Sequence, residues 1–385
     1  MKNLLKYSSI ISLFISVAAT QARLITLTPA TYATCTVAAV SCDTAYQTAI
    51  DSFVSTFETQ INASAGIGDL NLGQYFSGIA NATSVSNSGL GVDHHSHFDV
   101  ALFGFGLGAA GVLASGYGIS DLASGGSETL RQKIGGMAVG ANVTVGLKAS
   151  TFLHSPLFGF IDPARLKGYV GFFFFPYTVP GYGSASLGAL SMMGQYNIVP
   201  GTSAGLGAFK WGGVNISSGL RMASFSLKGS VAQTVAMTQN IVVASNNVPT
   251  TMSAPITVNM NLSSKDFTIP VEASTSVRLA WIMSLMMGTA FDINVGSASG
   301  GVTAPDPTIT LTHSSTGPVT LAGSTTVDAA VDTAFANGSG KPTFINWRGF
   351  GGVQFEFGVG GFYVTATKAI LASQYGINAG LNLFY

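Results

Sequence analysis

The chain has 385 residues, and its 16 Lys and Arg balance 16 Asp and Glu, so the formal net charge is zero. Charged residues make up 8% of the chain, against about 25% in an ordinary soluble domain. That is too little charge to keep a soluble protein dispersed, and there is no clustered basic footprint for nucleic acid. The 48 glycines within a 47% hydrophobic composition also argue against a compact aliphatic core, because glycine weakens helix and strand interiors alike.

Residues 1–22 read as a secretory signal, with Lys2 and Lys6 at the start, an apolar run over 10–19 and small residues up to Ala22. The run is short for a spanning helix of about 20 residues. Export would place Cys35 and Cys42 in an oxidising compartment, where they could close a small loop; spacing alone leaves the pairing open.

Residues 23–95 are expected to form an N-terminal helical plug or periplasmic segment. Tyr46, Ala49, Ile50, Phe53, Val54, Phe57 and Ile61 follow helical spacing, and Leu72, Tyr75, Phe76 and Ile79 mark a second, shorter helix. Neither carries the basic face usual for a helix lying on a membrane surface. Three of the five histidines, His94, His95 and His97, then follow one another between Asp93 and Asp99. Imidazoles at this spacing could bind zinc or copper if the loop bends to converge them. The competing reading is a polar turn leading into the first barrel strand.

From residue 96 to 385 the dominant signal is a period of two. Phe103, Phe105 and Leu107 alternate with Gly104, Gly106 and Gly108; Val139, Ala141, Val143, Val145 and Leu147 alternate with small or polar residues. The stretch 100–119 is uncharged and long enough for a membrane helix, but its alternation with glycine favours a strand. Further on, Val277, Leu279, Trp281 and Met283 share one parity, with Glu272 and Arg278 on the other; Val353, Phe355, Phe357 and Val359 repeat the pattern. Long strands with one aromatic-rich face, in a chain with too few charges to coat a wetted exterior, predict a transmembrane antiparallel β-barrel. About 12 strands (10–14) fit the length. Segments 155–167, 246–255, 297–318 and 325–342 are expected as loops, the last with a short helix over 327–335.

Formal matches to catalytic motifs lack their context. Gly201-Thr202-Ser203-Ala204-Gly205 has the nucleophile-elbow spacing and resembles the patatin-like version, but a glycine-rich, strand-like stretch follows it. The glycines at 106, 108 and 111, and the run 338–341, lack a parallel-sheet or phosphate-loop setting. No cofactor is read from the sequence, and the chain is not expected to be an enzyme.

The last ten residues, 376–385, place Ile377, Ala379, Leu381, Leu383 and Tyr385 on one face. This strand with a terminal aromatic resembles the targeting signal of Gram-negative outer-membrane barrels. The resemblance implies the outer membrane of a diderm bacterium, with membrane lipid around the barrel and the barrel assembly machinery as partner of 376–385. Upstream, Phe57-Glu58-Thr59-Gln60-Ile61-Asn62, Gln74-Tyr75, the run 78–82 and the run 89–93 are similar to leptospiral surface adhesin-like proteins. That similarity implies loops that bind host extracellular-matrix or plasma proteins. Inward positions rich in Gly, Ser, Thr and Asn lack the charged lining of a wide porin, so a narrow or plugged barrel is expected. The alternative is a channel for apolar or uncharged small molecules, gated by the N-terminal helices.

Overall fold

The computed structural model describes residues 25–64, 72–90, 92–94, 98–113, 134–180, 183–205, 208–303, 305–306, 309–313, 319–331, 337–371 and 373–385. The chain begins with β1 (Ile25–Thr31), β2 (Thr34–Val37), β3 (Val40–Ser41), α1 (Asp43–Ser64) and α2 (Leu72–Ser86). Next come β4 (Ala101–Leu113), β5 (Ile134–Lys148), β6 (Leu166–Val179), β7 (Gly183–Val199), β8 (Thr202–Ala204), β9 (Phe209–Val243), β10 (Asn246–Leu279) and β11 (Met283–Thr303). The remainder is β12 (Ile309–His313), β13 (Val319–Ala322), β14 (Thr326–Val331), β15 (Asn337–Gly340), β16 (Ile345–Phe357), β17 (Gly360–Ala369) and β18 (Gln374–Phe384).

Antiparallel pairings run β4–β5–β6–β7–β9–β10–β11–β16–β17–β18 and return from β18 to β4, so ten strands close a ring. The seam is in continuous register from Gln374 opposite Val112 to Phe384 opposite Leu102. There the Tyr385 carbonyl accepts from the Val100 and Ala101 amides at 2.9 Å each. Closure leaves no open edge along the wall, a condition for strands in a bilayer. No described helix is long and apolar enough to cross a membrane.

Period-two alternation becomes an inside and an outside. Phe103, Phe105, Leu107, Met137, Val139, Val145 and Leu147 are exposed on the outer surface, while Gly104, Gly106, Gly108, Asn142 and Thr144 are buried within. The outer apolar band stops at one level on three neighbouring strands. Met222, Phe267 and Val295 lie on adjoining rungs, and two residues further along stand Ser224, Lys265 and Ser297. Below that level β10 turns Phe267, Ile269, Val271, Ala273, Val277 and Leu279 outward. The run from Phe267 to Leu279 rises about 29 Å at about 3.4 Å per residue and a tilt of about 45°, close to the band height of such barrels. Aromatic residues mark both rims: Trp281, Phe357 and Tyr385 at one, Phe344 and Tyr177 at the other, all exposed, with Phe291 and Trp347 stacked nearby.

Above the band the ring becomes a lobe. The far parts of β9 and β10 continue as a hairpin, which β12, β14 and β1 extend as a sheet. A small sheet of β13, β2 and β3 lies alongside. The inner side of the lobe is covered by α1, whose Tyr46, Ile50, Phe53, Val54 and Phe57 are buried against Leu27, Ile241, Val243, Val248, Met252, Ile309, Leu311 and Val327. A disulfide joins Cys35 to Cys42 with their Cα atoms 5.0 Å apart. Asp43 accepts from the Cys35 amide at 2.6 Å and from Ser41 at 2.8 Å, so it anchors the start of α1.

Several local expectations are corrected. Segment 246–255 belongs to β10, and 297–318 contains the end of β11 and all of β12. These strands lie beyond the apolar band, where the outer face is free to be polar, so Thr, Ser and Asn made them look like loop. The helix expected at 327–335 is β14 over its described part, with Val327 buried under α1. Trp281 does not continue a strand: Ala280 and Trp281, at φ 51° and 63°, make the turn between β10 and β11, and Gly358, at φ 62°, makes the turn before β17.

Candidate functional site in the lumen

The interior of the ring holds α2 and the chain that follows it. Residues 79–88 of this segment are buried, because β4, β5, β10, β11, β15 and β18 all pack against α2. Glycine on the wall is what makes room. A Cβ at Gly140 would stand 2.8 Å from the Asn87 side chain, and one at Gly300 would stand 2.7 Å from the Phe76 ring. Gly108 and Gly136 face the α2 backbone itself, at Ser86 and Gly78. The segment enters beside Gly300 and Gly340 at the lobe end. It passes Gly108 and Gly140 at mid-height and reaches Gly146, beside Phe98, near the start of β4. The threaded chain therefore separates the lobe from the rim where β18 ends.

Its contacts with the wall are largely polar. Thr83 donates to Ser264 at 2.9 Å, and Ser84 to Asn294 at 2.8 Å. The Thr343 amide donates to Asn81 at 2.7 Å. Thr144 and Asn142 donate to the Leu90 carbonyl at 2.8 and 3.3 Å, and Asn378 donates to the Ser88 carbonyl.

The strongest electrostatic feature lies just below. Arg221 of β9, Glu272 of β10, Asp292 of β11 and Arg348 of β16 all point inward and are buried. Glu272 accepts from Arg221 at 2.5 Å and from Arg348 through the same oxygen. The second nitrogen group of Arg348 reaches Asp292 at 2.6 Å. His94 of the threaded segment completes the cluster, its Nε2 3.2 Å from the other Glu272 oxygen and its Nδ1 3.1 Å from Ser274. Ser274, His94 and Glu272 thus follow the order of nucleophile, base and acid. Yet two guanidinium groups hold the carboxylate, and Ser274 is itself buried. The arrangement is a tether between threaded chain and wall, not an activated serine.

Of the three candidate metal ligands, His94 sits in this cluster, while His95 and His97 lie outside the described residues. Among the described residues no group of three or more His, Cys, Asp or Glu gathers into a metal-holding set. Ser203, from the elbow-like motif, lies exposed on the short strand β8, paired with Lys210 of β9. Sequence reasoning missed Arg221, Asp292 and Arg348. Their signal was available: each follows a residue of the outer apolar face, Leu220, Phe291 and Trp347, and so must face inward.

In the lobe the Tyr46 hydroxyl lies 2.7 Å from His313 Nε2 and 2.6 Å from Thr325, and Thr250 lies 3.1 Å from His313 Nδ1. Burial pushes the Tyr46 phenol up and holds the His313 imidazole down. The Cys35 amide and then the Ser41 hydroxyl hold the Asp43 carboxyl below its usual range.

A closed ring of strands with an apolar outer band, aromatic rims and a polar, occupied interior defines an integral outer-membrane β-barrel protein. The Lsa36-like family model matches residues 30–385, and the chain belongs to that family. The chain is similar to several solved barrels, each at low identity. The CymD monoaromatic hydrocarbon channel is 8% identical over 82% of this chain and 99% of its own, with a TM-score of 0.25. The translocator domain of the autotransporter NalP from Neisseria meningitidis is 10% identical over 87% and 98%, with a TM-score of 0.26. A FadL homologue of Pseudomonas aeruginosa is 8% identical over 74% and 90%, with a TM-score of 0.21. None of the curated proteins matches the chain.

Proposed function

We propose that this protein is a surface-display barrel: the luminal segment closes the ring, and the lobe is carried outside the cell to bind host or environmental macromolecules. The observation behind this is the lobe itself. It has a separate apolar core and a disulfide, and it begins where the lipid-facing band ends on β9, β10 and β11. The two longest connections, 114–133 and 304–344, leave the ring at the same end, and the other end carries the turns at 280–282 and 358–359 with the connections 149–165 and 200–208. Outer-membrane barrels keep longer loops on the outside and shorter turns toward the periplasm. Extracellular-matrix and plasma proteins are the proposed partners, in keeping with the family.

Solid-phase binding of the folded, full-length protein to immobilised matrix proteins tests this. Val40 and Val242 are 69% and 60% exposed on the lobe, so V40D/V242D is expected to weaken binding while the barrel keeps its heat-dependent gel shift. Equal binding by the variant, or binding no greater than to albumin, would count against the lobe as the recognition surface.

A further inference from the structure

Arg221 and Arg348 supply two positive charges on the inner wall, and Glu272 and Asp292 supply two negative ones. The four are balanced without any contribution from the threaded segment, so their network does not depend on the segment for its charge. By contrast, Ser, Thr and Asn make most of the hydrogen bonds from this segment to the wall, and water can replace such partners. The apolar clusters that α2 shares with the wall are small. One gathers Phe76, Ile79, Ala80, Leu262 and Ala298; the other Ala82, Val85, Ala110, Ala138 and Ala369. The core that holds α1 in the lobe is several times larger. Opposite the charged cluster, the wall offers Gly106, Gly140, Asn142 and Asn378, which are small and uncharged.

We propose that α2, together with residues 87–90 and 92–94, is a displaceable plug, and that its withdrawal opens a water-filled pore whose constriction is formed by Arg221, Glu272, Asp292 and Arg348. The pore passes small hydrophilic solutes and ions of either sign, since charges of both signs border one side of it and amides the other. The contact of His94 with Glu272 and Ser274 is the latch, the link from the plug to this cluster. This rests on the plugged-barrel reading above, but not on the lobe's binding of any partner, which is scored separately by the solid-phase assay.

The test is single-channel recording on full-length protein in planar bilayers of neutral lipid, with simple salts as the permeant probe. Wild type is expected to be closed at rest and to open in discrete steps under voltage. N87C/G140C joins the plug to the wall where the two residues meet. Oxidised, it is expected to lose the steps, and reduction is expected to restore them. Reductant applied to wild type controls for the Cys35–Cys42 bond. In the open state E272Q is expected to shift selectivity several-fold toward anions; D292N serves in its place if E272Q loses its heat-dependent gel shift. Wild type that never conducts, or a locked variant that steps like wild type, overturns the plug. Stepping with unchanged selectivity in the charge variants overturns the constriction.

Discussion

Inside the barrel a single carboxylate organises the polar network. Glu272 accepts from Arg221 and Arg348 and faces His94. Its removal leaves two buried guanidinium groups close together with one acid, Asp292, which is paired with Arg348. Breaking a buried pair in this way costs about 3–5 kcal/mol, so E272A is expected to lower the temperature at which the barrel loses its gel shift. An unchanged midpoint would mean that water already screens the cluster. In the lobe, His313 makes the opposite demand. Its folded pKa is held below the unfolded value, so the folded lobe disfavours protonation. The stability this gives is fully present above about pH 6.5 and declines as pH falls below that value, since the unfolded chain takes up the proton first. Asp43 adds a loss at lower pH, below the ordinary carboxylate range. Lobe protection against protease is therefore expected to fall in mild acid, and H313Q is expected to remove the part centred on histidine; protection that is flat from pH 7 to about pH 5 would contradict the assignment. His94 and Glu272 were visible in the sequence as a histidine cluster and an inward acid. What joined them was not, because 178 positions separate them in the chain and only the threading of the N-terminal segment through the ring brings them together.

At the level of elements, α1 and α2 have the same helical signature but different surroundings. The apolar stripe of α1 lies against a sheet and makes a core, and Phe53 at its centre is 2% exposed. F53A is expected to destabilise the lobe by about 3–5 kcal/mol and leave the barrel's gel shift intact. Joint loss of both would mean that lobe and barrel unfold as one. α2 buries serine, threonine and asparagine as well as its apolar residues, because the ring encloses it on all sides. The alternation of β4, β5 and β16 was legible because each turns one face to lipid and the other to a packed lumen. It was not legible in the outer half of β10 or in β12 and β14, where one face meets α1 and the other meets water. Thr238, Thr251, Thr310, Thr312 and Thr326 line that outer face, and their polar, β-branched side chains suit a strand without giving it a lipid-facing signature. The positive φ angles at Ala280 and Trp281 were hidden for a related reason. An apolar turn at the membrane rim has the same composition as the strands it joins.

On the scale of the whole molecule, composition already implied a barrel, and the ten-strand ring lies inside the expected range of 10–14. Threading could not be read from the sequence. It depends on the glycines at 108, 136, 140, 300 and 340 lining a continuous track for one helix, and a glycine excess alone does not say which element approaches. Because the segment runs the length of the lumen, it puts residues 25–64 and the rim at Tyr385 on opposite sides of the membrane. The measurement that tests this most directly places one short epitope in the lobe turn at Ala244–Ser245 and, in a second variant, the same epitope in the turn at Gly358–Val359. The account requires antibody to label the first on intact cells and the second only after the outer membrane is permeabilised. Labelling of both on intact cells, or of the second alone, would contradict a lobe carried outward on a threaded barrel.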